Sequence, residues 1–146
     1  MNEHELIRNW GEQKISHNYL RLMSLCTAEF ELIGPAGHPS SYAKVGFVAE
    51  PAETLSLHFD VEWPATFDDT YKLRIQNTIA EAIADMLLVR GEGSIFRGVE
   101  LKLTTFGWSE VGGSEMAVYR ATAKAMQQLR EEAQWTDMLG RYRAYI

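Results

Sequence analysis

The chain has 146 residues, 46% hydrophobic and 23% charged, which suits one globular domain and leaves little room for a second. Its net charge of -6 works against non-specific nucleic-acid binding, which depends on Lys and Arg neutralising phosphates. No apolar run approaches the roughly 20 residues that cross a bilayer, the acidic start Met1-Asn-Glu-His-Glu5 does not read as a secretory leader, and the single cysteine, Cys26, has no partner within the chain; together these fit a reducing, cytoplasmic setting.

In chain order, Leu6, Ile7, Trp10, Ile15, Tyr19, Leu20 and Met23 have roughly helical spacing, with Gly11 as a break, and predict a helical N-terminal extension over 1–25. Residues 28–33 alternate, with Phe30 and Leu32 toward a core and Glu29 and Glu31 toward water. Two Pro and two Gly within 34–41 predict a loop. A second alternating run carries Val45, Phe47 and Ala49 on one face, opposite Lys44, Gly46 and Val48. A third carries Leu57, Phe59, Val61 and Trp63 opposite His58, Asp60 and Glu62, and Pro64 stops it.

Asp68-Asp-Thr70 offers caps for the clearest helix of the chain. Its stripe is Ile75, Ile79, Ala82, Ile83, Met86 and Leu87, and Gly91-Glu-Gly93 ends it. A fourth strand alternates Val99, Leu101 and Leu103 against Glu100, Lys102 and Thr104. Residues 106–113 read as a loop, and Ser114 opens a helix with Val118, Ala121, Ala125 and Leu129 inward. Trp135, Met138, Leu139, Tyr142 and Ile146 predict a helical C-terminal extension within 129–146.

The pattern as a whole predicts an α+β two-layer sandwich in a single domain, 1–146. A four-stranded, mostly antiparallel sheet carries two helices on one face, because such clean alternation leaves one face covered and one wet.

Chemistry-bearing clusters are sparse. His58, Asp60 and Glu62 share a strand face, but alternate residues lie about 6.6 Å apart, and a solvated face is the expected reading; no metal or cofactor is expected. Gly112, Gly113 and Ser114 at a helix start are candidates for binding an anion or phosphate through backbone N–H groups, beside the plainer reading of a turn with a Ser cap. His38 with nearby serines lacks a carboxylate to complete a triad. Cys26 has no local cation to activate it. Trp108 in a Gly-rich loop is either folded onto the core or displayed to a partner. Trp135, Tyr142 and Tyr145 are candidates to cover the open sheet face or to form a homo-oligomer contact through the C-terminal tail.

Several segments carry a family resemblance. Gly113-Ser-Glu-Met-Ala117 looks like the Ser-Ser-Glu-Met-Ala signature of the fourth domain of elongation factor G. Tyr42-Ala-Lys-Val-Gly-Phe-Val-Ala-Glu-Pro51 resembles that family's Tyr-Gly-His-Val … Glu-Pro strand, and the helix with Tyr71, Ile75, Ile79, Glu81 and Ala82 resembles the helix between the two. Residues 103–111 align without a gap with the family's strand and tip loop, and the similarity runs over about 28–128.

The resemblance implies a four-stranded sheet backed by two helices. It further implies two tip loops, 34–42 and 106–114, that lie together and contact the ribosome or ribosomal RNA. On and beside these loops the candidate binding residues are His38, Tyr42, Lys44, Trp108, Ser109 and Glu110. A family histidine falls at Ser109, the acid-rich turn becomes Glu110-Val-Gly-Gly113, and the first loop is Pro-rich without Arg. No Gly-x-x-x-x-Gly-Lys-Ser/Thr loop occurs, which excludes GTP hydrolysis by this chain, and the expectation is a non-catalytic binding module.

Overall fold

Alternation in the sequence becomes a sheet with one dry and one wet face. The computed structural model describes residues 19–35, 38, 40–88, 95–137 and 142–144. Its elements are β1 (Tyr19–Leu22), β2 (Cys26–Ile33), β3 (Tyr42–Pro51), β4 (Ser56–Phe59), α1 (Asp69–Leu87), β5 (Ile95–Gly107), α2 (Glu115–Glu132), β6 (Gln134–Asp137) and β7 (Tyr142–Ala144). The fold is α+β, with a seven-stranded sheet in the order β2-β3-β5-β1-β6-β7 and β4 paired to β5.

β5 is the spine of this sheet. Along one edge it pairs antiparallel with β3, and along the other it pairs parallel with β4 and with β1. The sheet is therefore mixed and larger than the four-stranded, mostly antiparallel sheet expected from alternation. β4, α1 and β5 form a βαβ unit, and a helical crossover of this kind is what brings two consecutive strands parallel.

The two terminal extensions are corrected where they are described. Tyr19–Leu22 is a strand and not the end of a helix, with Leu20 and Leu22 buried and Tyr19 and Arg21 half-exposed. Past α2 the chain turns extended at Ala133 and forms β6, antiparallel to β1, then β7. Over four residues a helical and an alternating pattern share most of their positions, and pairing decides between them. Trp135 is fully buried in β6 with its ring 4.9 Å from that of Phe96. It therefore neither covers the open sheet face nor offers a dimer contact. The expected helix over 3–18 and the positions Met138, Leu139, Tyr145 and Ile146 lie outside the described residues.

The two central helices form as their caps and stripes dictate. The Asp68 carboxylate accepts the Tyr71 N–H at 2.7 Å, and the Ser114 hydroxyl accepts the Ala117 N–H at 3.1 Å. Each such cap is worth about 1 kcal/mol. Ile75, Ile79, Ile83 and Leu87 of α1 and Val118, Ala121, Ala125 and Leu129 of α2 join Val45, Phe47, Leu101 and Leu103 in the core. Burial of each large aliphatic side chain contributes roughly 1.5–3 kcal/mol. The helices are also joined by Tyr119, whose phenol donates to Asp85, and by Arg74, 2.7 Å from Glu115.

One irregularity aims the end of β5. Gly46 faces Thr105 and Phe47 faces Leu103, leaving Thr104 as an extra residue. A bulge of this kind shifts which side chains point to which face. After it, Phe106 shares the dry face with Leu103, and the chain enters the next loop with Trp108 turned inward.

Candidate functional site

The 34–41 loop and the 108–114 loop are joined by their backbones. The Gly112 carbonyl accepts the N–H groups of both Ser41, at 2.9 Å, and Tyr42, at 3.1 Å, and the Ser114 hydroxyl donates to Ser40 Oγ at 2.7 Å. Gly34 N–H closes the first loop onto Ser41 at 2.6 Å. Ser40 holds a left-handed φ of 64°, a conformation that costs a non-glycine residue energy. Ser40, Ser41 and Tyr42 are thus joined to Gly112 and Ser114, about 70 residues further along the sequence (positions 40 and 114).

Close approach explains the two glycines. A Cβ on Gly112 would stand 2.5 Å from Ser41 Oγ, and one on Gly113 would stand 2.5 Å from the Ser109 carbonyl and 2.6 Å from the Trp108 ring. Their N–H groups are occupied: Gly112 donates to Ser109 Oγ and Gly113 to the Ser109 carbonyl. With the Ser114 hydroxyl capping α2, these groups hold the turn together, which is the plainer of the two readings of Gly112, Gly113 and Ser114.

The six residues with an expected binding role separate into different surroundings. Tyr42 and Lys44 lie on the open sheet face, where the Tyr42 phenol donates to Glu31 at 2.9 Å and Lys44 lies 3.5 Å from Glu29. Donation to Glu31, then burial, raises the Tyr42 pKa. Trp108 lies on the opposite, helix-bearing side, half-buried in an aromatic cluster. Its ring is 4.9 Å from Phe67, 5.9 Å from Tyr71 and 6.2 Å from Phe106. Trp63 and Phe59 extend the cluster along the sheet. Ser109 builds the turn, Glu110 accepts the Thr66 hydroxyl at 2.8 Å, and His38 is exposed with its N–H on the Pro35 carbonyl.

The single patch of His38, Tyr42 and Trp108 expected from loop proximity does not form, because Tyr42 and Trp108 fall on opposite sides of the sheet. Two residues passed over in the sequence stand out instead. Ile33 is 71% exposed and Val111 70% exposed, one at the end of β2 and one in the second loop. Val111 sits beside two glycines, and this local isolation from any apolar stripe was a signal of its exposure.

Neither a family model nor a curated protein matches the sequence. In three dimensions the chain is similar to the crystal structure of ttk003000868 from Thermus thermophilus, with a TM-score of 0.55 and 18% identity over 75% of this chain. The match spans 16% of that chain. At this identity the likeness extends to the fold alone.

The cations on either side of the tip each lie beside a carboxylate. Arg74 pairs with Glu115, Lys72 lies 3.8 Å from Asp69, and Lys44 serves Glu29. Burial raises the Tyr71 pKa, and the negative charges of Glu115 and Glu110 add to this against Arg74. Among the described residues, no group of three or more His, Cys, Asp or Glu side chains could hold a metal ion. His58 faces Glu100 at 3.1 Å. No helix among the described residues is long and apolar enough to cross a membrane.

Proposed function

We propose that this chain is a non-catalytic binding module of the elongation factor G fourth-domain type, which presents its two tip loops to a translation-linked partner on the ribosome. The observation that carries this reading is the Gly112 carbonyl accepting from both Ser41 and Tyr42. That junction holds the described ends of the two loops side by side, which is consistent with the arrangement the family resemblance implies. A fold that recurs as part of a longer chain in a Thermus protein also suits a module.

The contact falls on the exposed tip residues Val111, Ile33 and His38, and not on Trp108. Apolar anchors flanked by carboxylates fit a protein surface better than bare phosphate, because the neighbouring cations are already paired. Co-sedimentation of the full chain with ribosomes tests the reading. Val111→Asp should abolish it while leaving the fold intact, and the binding should change little between low and moderate salt. Absence of co-sedimentation, or equal pelleting of Val111→Asp, would overturn it.

A further inference from the structure

We propose that the outer edge of β2 is a docking site for an extended, basic segment of a partner protein, which adds a strand to the sheet. β2 ends the strand order, and among the described residues no strand lies on its outer side. It has 8 residues without Pro or Lys, and its register with β3 is unbroken from Cys26↔Ala49 to Ile33↔Tyr42. Exposed edges are usually blunted by Lys, Pro or a bulge. This one is long and regular, and its only charges are Glu29 and Glu31.

Those charges specify the occupant. Both carboxylates lie on the open face and are exposed. One lysine serves the pair: Lys44 sits 3.5 Å from Glu29, while Glu31, its register partner, accepts only the neutral Tyr42 phenol among the bonds described. The row therefore carries excess negative charge. A second copy pairing β2 antiparallel about Phe30 would set Glu29 against Glu31, and like charges directly opposite are destabilising. A strand with Lys or Arg at alternate positions places cations there instead. Its intervening residues fall beside Phe30 and Leu32, which are half-buried against the core, and these favour apolar side chains. Main-chain hydrogen bonds supply the affinity, and the alternating side chains supply the choice of partner.

The test titrates the full chain with a synthetic peptide of about eight residues alternating Lys and Val, a length matched to an ordinary strand, and with its Glu–Val counterpart. Backbone amides are followed by NMR and hydrogen exchange. The Lys–Val peptide should protect amides of β2, and a central Pro in the peptide should abolish this. Glu29→Lys with Glu31→Lys should weaken that peptide about tenfold, as expected for two cross-strand charge pairs, and should favour the Glu–Val peptide. If the reversed variant fails to fold by circular dichroism, Glu29→Gln with Glu31→Gln should still weaken the Lys–Val peptide. Equal binding of both peptides, protection elsewhere, or no binding at millimolar peptide would overturn the proposal. The tip contact shares Ile33 with this strand; Val111→Asp lies off β2 and should abolish ribosome co-sedimentation while leaving protection of the Glu29 and Glu31 amides unchanged, so the two readings fail separately.

Discussion

A Cβ on Gly113 would stand 2.6 Å from Cε2 of Trp108 and 2.5 Å from the Ser109 carbonyl oxygen. The ring that closes the aromatic cluster thus rests directly on the backbone of the tip turn, and backbone cannot step aside as a flexible side chain can. Gly113→Ala should destabilise the fold by about 1–3 kcal/mol, the usual cost of overpacking. Urea unfolding measures it, with Val111→Ala as a control expected to stay within about 0.5 kcal/mol.

Trp108→Ala should be costly for the same reason. The half-buried ring touches Phe67, Tyr71 and Phe106, so the loss should fall toward the lower end of the roughly 3–5 kcal/mol seen for buried aromatic truncations. Thermal unfolding of the variant checks this. A near-neutral effect would mean that the ring does not close the cluster.

Thr122 is fully buried in α2, and its hydroxyl oxygen has no hydrogen-bond partner among the described residues. Thr122→Val keeps the shape and removes the unmet polar group. It should stabilise the fold by about 1–3 kcal/mol. A loss in urea unfolding would show that the hydroxyl is satisfied.

Donation from the Tyr119 phenol to Asp85, followed by burial and the negative charges of Asp85 and Glu81, raises the tyrosine pKa. A phenol with a raised folded pKa favours the native state fully below its unfolded pKa, about 10. That contribution disappears as pH rises through the higher folded value. Melting temperature should therefore fall on the alkaline side, and Tyr119→Phe should flatten that limb. At neutral pH the variant should lose about 0.5 kcal/mol, the low end for a hydrogen bond of a half-exposed pair.

How much of this was legible in the sequence depends on the length of each signal. The stripe Ile75, Ile79, Ile83 runs over several helical turns, and it is buried as its spacing predicts. Ser114 and Asp68 cap as their side chains dictate. The runs through Val45–Phe47–Ala49 and Val99–Leu101–Leu103 hold their faces. Four-residue strands such as β1 and β6 carry too little periodicity to separate from a helix, and only partners far along the chain decide them. The extra residue at Thr104 is invisible to pattern reading. It shifts the facing of the rest of β5, so Phe106, opposite Val45, falls on the dry face where unbroken alternation would put Thr105. Proximity of the two loops was implied by the family resemblance, but the side of the sheet that Phe106 takes was set by that one-residue slip.

β5 has a consequence for how the molecule comes into being. Its residues are the shared neighbours of β1, β3 and β4, so an incomplete chain lacking it would hold β1 and β4 without their principal neighbour and β2–β3 as a lone hairpin, which is marginal in water. Pairing Tyr19 with Ile95 also requires closing about half of the chain into one long excursion, and such distant contacts slow folding. During synthesis, the mixed sheet can close only after this segment has emerged.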